Sequence, residues 1–102
     1  MRRIIKRPAA KRDLVLHFAW FAEEAGIDIA RQFLRAAENS LELLTQAPKL
    51  GPVKIYEGKF AGLRMWRISG FENFLIFYRP LKDSVAVERI VHAKRDYQRI
   101  LK

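Results

Sequence analysis

The chain has 102 residues, half of them apolar and none of them cysteine. That is one domain, residues 1–102, with a modest core; a disulfide framework and a thiolate metal site are excluded. Twenty Lys and Arg against eleven Asp and Glu leave a net charge of +9, which points to an acidic partner: nucleic acid, a protein bound to nucleic acid, or an acidic protein inhibitor.

The first element is expected at residues 2–7, a short strand with β-branched residues that Pro8 ends. Pro8 also suits a helix start, where its missing N–H would have no partner. Residues 9–25 place Leu14, Phe18, Phe21, Ala22 and Ala25 on one helical face. Gly26 is a natural stop, and Asp28 is a plausible N-cap for a second helix. That helix carries Ala30, Phe33, Leu34, Ala37, Leu41 and Leu44 on one stripe and must end by Pro48. A link of two or three residues would make the pair an antiparallel helical hairpin.

Gly51, Gly58, Gly62, Pro48 and Pro52 then mark a loop, with room for a short extended piece at residues 53–56. Three runs rich in β-formers follow, at residues 63–69, 73–80 and 84–93. The connections Gly70-Phe-Glu and Leu81-Lys-Asp are short enough for antiparallel pairing. Residues 95–101 read as a short closing helix with Tyr97, Ile100 and Leu101 turned inward. The order is β-αα-βββ, an α+β fold with a mainly antiparallel sheet and a helical hairpin packed on one face. The other face is expected to be left to solvent or to a partner.

No Gly-rich phosphate loop, Ser/His/Asp set or HExxH motif is present, and two distant histidines do not make a zinc site. No cofactor and no metal are expected. No segment approaches the ~20 apolar residues of a membrane span, so the expected setting is the cytoplasm, without membrane contact. Arginines inside apolar strands stand out: Arg64, Arg67, Arg79 and Arg89. They either pair with Glu72 and Glu88 or form a basic sheet surface for an acidic ligand.

His92 ends the last strand, with Lys94, Arg95 and Tyr97 just beyond. Such a set suits RNA cleavage, which needs a base, an acid and cations; a structural hydrogen bond is the plainer role for a histidine there. His17, between acidic and apolar neighbours, reads as a surface residue. Leu16 and Trp20 point away from the first helix's stripe. They need cover from the second helix or from a partner, as aromatic anchors do at interfaces.

The chain resembles the ParE/RelE superfamily of small bacterial toxins over nearly its whole length. The resemblance rests on the element order, the Pro48-Lys-Leu-Gly51 turn, Gly62-Leu-Arg64, Phe74-Leu-Ile-Phe-Tyr-Arg79 and Arg89-Ile-Val-His-Ala-Lys-Arg-Asp96. The last two segments look most like the ParE branch. The resemblance implies a toxin of a type II toxin–antitoxin module, held inactive by a cognate antitoxin that wraps it. A ParE-like chain would poison DNA gyrase by protein–protein contact; a RelE-like chain would cleave mRNA on the ribosome.

For the gyrase poison the expected contacts are Arg64, Arg79, His92, Arg95 and Tyr97. For the nuclease, Arg64, Arg79, His92 and Tyr97 would carry the chemistry. Leu16, Trp20 and Trp66 are the expected antitoxin contacts, and Asp96 is expected to pair with a local arginine or cap the closing helix.

Overall fold

The fold is that of a computed structural model, which describes residues 2–55, 57–58 and 60–96. Strand β1 (Arg3–Lys6) leads through Arg7 into helix α1 (Pro8–Ala25), with Pro8 in the first turn. Helix α2 (Ile27–Gln46) follows after a single residue. That residue, Gly26, has φ +98°, a region that side chains with a Cβ rarely enter. The hairpin link is thus shorter than the sequence suggested. Asp28 lies inside the first turn of α2 rather than at its cap, and no side chain caps that end. Its carboxylate still suits the positive end of the helix dipole.

Strands β2 (Arg64–Ile68), β3 (Phe71–Pro80) and β4 (Ser84–His92) pair antiparallel in sequence order. β1 adds to β4 in parallel, giving the order β1-β4-β3-β2. β3 and β4 are therefore central. The helices pack on one face over Ile68, Phe74, Ile76, Tyr78, Val85, Val87 and Ile90. Phe21, Phe33, Phe71 and Phe74 meet there with ring centroids 5.0 to 5.4 Å apart, several of them edge to face, a geometry that favours aromatic pairs beyond their burial.

One expectation about the sheet is corrected. The far face of the sheet is not open. Leu63, Leu75, Phe77 and Val91 are buried there beneath Ile55 and Phe60 of the 53–62 loop. The loop is tied back by an isolated bridge from Val53 to Arg64 and by the Gly62 N–H on the Ile55 carbonyl at 2.7 Å. The signal was in β3, where Phe74-Leu-Ile-Phe-Tyr78 is apolar in both parities, as in a strand covered on both sides.

The ladder is irregular where β4 crosses Glu88. Phe77 opposes Arg89 while Tyr78 opposes Val87, so Glu88 is an extra residue. This bulge shifts the phase and brings Ile90 into the helix-side core with Val85 and Val87. Residues 93–96 form a turn, so the closing helix expected at residues 95–101 does not begin at Arg95, and the rest of that range, Tyr97 included, lies outside the described residues.

Candidate functional site

The expected contact residues fall into two groups at opposite ends of β3. Arg64 opposes Tyr78, and His92 opposes Phe74. Those positions are four residues apart on β3, about 13 Å at ~3.3 Å per residue, with Arg79 one step farther. Arg64, Arg79 and His92 thus do not converge on one ligand atom.

At the Tyr78 end each of the three side chains donates to a backbone carbonyl. Arg64 Nη1 donates to the carbonyls of Gly51 at 2.8 Å and Lys49 at 3.3 Å. Arg79 Nη1 donates to the Ala61 carbonyl at 3.2 Å. The Tyr78 hydroxyl donates to Pro48 O at 2.8 Å and accepts from the Gly51 N–H at 2.9 Å. Burial pushes the Tyr78 hydroxyl up from its ordinary range, so it stays protonated and donates. Together these side chains hold the 48–51 turn and the 58–62 loop against the sheet.

The His92 end is built differently. β1 covers β4 only from Ser84 to Val87, and among the described residues no other strand lies on the outer edge of β4 beyond that point. Side chains take its place. Asp13 Oδ2 accepts from the Ile90 N–H at 2.9 Å. His17 Nε2 donates to the Ile90 carbonyl at 2.8 Å. Asp96 Oδ2 accepts from the His92 N–H at 3.0 Å, and the Asp96 N–H returns to the His92 carbonyl at 2.9 Å. An unpaired edge is a template for aggregation, and this one is closed by α1 and the chain's own turn.

His17 is therefore not a surface residue. Only 7% of it is exposed, and its ring stands edge-on to Phe74 at 4.9 Å. Burial lowers its pKa, outweighing the Ile90 bond and the nearby Asp13. Arg89 pairs with neither Glu72 nor Glu88. It makes a two-pronged pair with Asp13 at 2.7 and 3.0 Å, which raises its pKa. Glu88 instead meets Arg7 at 3.3 Å. The sequence signal that could have found this clasp is the Asp13/His17 spacing of four, which puts both side chains on one helix face.

His92 lies half-buried with its ring edge-on to Phe74 at 5.0 Å. Its Nδ1 accepts from the Lys94 N–H at 3.1 Å. The neutral ring therefore carries its proton on Nε2, and burial followed by the Arg95 charge lowers its pKa. Asp96 binds the His92 backbone, and among the described residues it pairs with no arginine. The Arg95 guanidinium sits 5.4 Å from the centroid of Trp20, a cation–π contact.

Trp20 is 43% exposed and Leu16 66%. The Trp20 ring stands edge-on to Phe21 at 5.1 Å, with the Arg95 guanidinium over its face. On the other flank of α1, exposed Val15 joins Leu14, Phe18 and Leu34 in an apolar groove of about 270 Å³. Trp66 is half-buried against the helix-side core. It lines a separate groove between α2 and β2 with Leu43, Arg67 and Glu72. Among the described residues no cluster suits a metal ion, and no helix is long and apolar enough to cross a membrane.

The comparisons agree with this architecture. The family model for the ParE toxin of the type II toxin–antitoxin system parDE matches residues 4–97. A chain of the solved chromosomal ParDE toxin–antitoxin system from P. aeruginosa superposes with a TM-score of 0.75 at 16% identity, over 92% of this chain and 98% of that one. No curated protein matches the sequence. With the family model spanning nearly the whole chain and the fold in agreement, this chain belongs to the ParE toxin family of type II toxin–antitoxin systems.

Proposed function

We propose that the chain inhibits DNA gyrase in the cytoplasm by protein–protein contact, without hydrolysis of its own, and that a cognate acidic antitoxin neutralises it. The observation that carries this reading is the separation of the two ends of β3. A nuclease needs a base, an acid and cations around one phosphate. Here His92 is about 13 Å along the strand from the position facing Arg64, by the ordinary strand rise, and both sheet arginines already bind loop carbonyls. The His92 Nδ1 is also taken by the Lys94 amide.

In this reading His92, Arg95 and Tyr97 touch the target directly. Arg95 supplies charge-assisted hydrogen bonds and Tyr97 a part-apolar anchor. Arg64 and Arg79 contribute through the loops they hold. The antitoxin covers apolar surface on α1, with Leu16 and Trp20 as anchors, and reaches Trp66 by a second segment. Its acidic side chains offset part of the +9 charge, so association should be fast and should weaken with salt.

Ribosome-dependent mRNA cleavage is the second reading, favoured by the one histidine among basic neighbours at the strand end. Supercoiling assays with purified gyrase, run beside translation reactions probed for codon-linked mRNA cuts, separate the two. Inhibited supercoiling with intact mRNA supports the poison; cut mRNA with normal supercoiling supports the nuclease.

A further inference from the structure

We infer that Asp13 and His17 are positioning residues: a pair of helix side chains that stands in for a missing strand and fixes where the basic arm after β4 is presented. The geometry is specific. Beyond Val87 the outer edge of β4 has no neighbouring strand among the described residues, and the Ile90 peptide is the point where α1 grips it. Asp13 takes the N–H and His17 the carbonyl, while both oxygens of Asp13 also hold Arg89.

The grip also reaches the arm through packing. His17 stands edge-on to Phe74, and Phe74 stands edge-on to His92. His92 closes the turn with Lys94 and Asp96, and the same turn lays Arg95 on Trp20, one helical turn beyond His17. One face of α1 thus holds the end of β4 at Ile90 and the arm at Arg95.

The inference adds to the proposed function a statement of how the arm is aimed, and its functional arm rests on that reading. The charged and titratable groups near His17 are Asp13 on its own helix, with His92, Arg95 and Asp96 from the end of β4 and the turn. Protonating His17 adds a buried charge beside Phe33 and Phe74, so the grip should loosen as pH falls.

The test reads the arm directly, in the full chain, from the Trp20 indole N–H resonance. Arg95→Ala defines the signal of an undocked arm. His17→Phe keeps a ring but loses the donor, and should move the resonance toward the Arg95→Ala position. His17→Gln keeps a donor at similar reach and should restore the wild-type position. Asp13→Leu should behave like His17→Phe.

If His17→Phe and Asp13→Leu fail to fold, a pH titration decides, read in His92→Gln so that the histidine of the turn itself no longer titrates. The Trp20 signal should then move as pH falls below 6.5, and that movement should vanish when His17→Gln is added. A Trp20 signal unmoved by every variant and by pH, or a pH response in His92→Gln that persists when His17→Gln is added, overturns the inference. Supercoiling assays keep the two readings apart. With the arm undocked, inhibition should weaken about tenfold or more, the scale of losing hydrogen bonds to a charged group. Undocking with undiminished inhibition would instead count against the arm as the target contact.

Discussion

The two ends of β3 carry similar residues and do different work. At the Tyr78 end, Arg64, Arg79 and Tyr78 point their donors at backbone carbonyls of the 48–62 segment. That end is closed, and its polar groups hold loops. At the His92 end the backbone is gripped from behind by Asp13, His17 and Asp96, while His92 and Arg95 keep part of their surface toward solvent. The contrast teaches that an arginine in a β-rich run is not by itself a binding residue. What its five N–H groups reach decides.

The largest effects should come from the closed end. A Cβ at Gly51 would collide with the Met65 carbonyl oxygen and stand 2.9 Å from the Tyr78 hydroxyl. Backbone on one side cannot yield as a flexible side chain would, so Gly51→Ala should destabilise the fold by about 2–3 kcal/mol in denaturant unfolding. Tyr78→Phe leaves the Pro48 carbonyl and the Gly51 N–H without their partner, and should cost about 1–3 kcal/mol. If either change left stability untouched, the 48–51 turn would not be latched as described.

Breaking the clasp comes next. Asp13→Ala strands the Ile90 N–H and removes both contacts to Arg89. A broken buried pair costs about 3–5 kcal/mol, but Arg89 is partly exposed, so about 2–3 kcal/mol is expected. Arg79→Ala should cost less, about 1 kcal/mol or below, because its one bond is long and partly exposed.

Acid should have a milder, signed effect. His17 and His92 both have pKa values lowered below 6.5 in the folded chain, chiefly by burial. Between the folded and unfolded values the unfolded chain binds more protons. Stability is therefore full above about pH 6.5 and declines as pH falls toward the folded values. Unfolding curves between pH 7 and 5 should show this slope, and His17→Gln should flatten it. A slope of opposite sign would mean that His17 is charged in the fold.

The smallest stability effects should fall on α1's exposed flank. Leu16→Glu with Trp20→Ala should change stability by less than about 1 kcal/mol while weakening antitoxin binding sharply, since aromatic anchors dominate interfaces. Unchanged affinity by calorimetry would move the antitoxin site elsewhere, with the Val15/Phe18/Leu34 groove first in line.

The order β-αα-βββ was legible because each element carries its own period and its own punctuation. The stripe through Phe33, Ala37, Leu41 and Leu44 is buried as its spacing requires, and Pro8 and Gly26 sit at helix boundaries. The parallel seat of β1 beside β4 was not legible, since pairing between sequence-distant strands leaves no local mark. Nor was the bulge at Glu88, which shifts Ile90 without changing composition. His17 looked like a surface residue, and Asp13 did not stand out, because their partner is a backbone peptide 73 and 77 residues away, respectively. The exposed Leu16 and Trp20, by contrast, were visible as apolar residues off the stripe.

The most direct test of contact poisoning is supercoiling by purified gyrase with wild type, His92→Gln and Arg95→Glu, each also assayed for ribosome-dependent mRNA cuts. The account predicts that the wild type inhibits supercoiling and leaves mRNA whole. His92→Gln should stay within a few-fold of wild type, because no proton transfer is lost, whereas Arg95→Glu should lose inhibition. Normal supercoiling in the presence of the wild type, with mRNA cleavage that drops about 10²–10⁴-fold in His92→Gln, would contradict it.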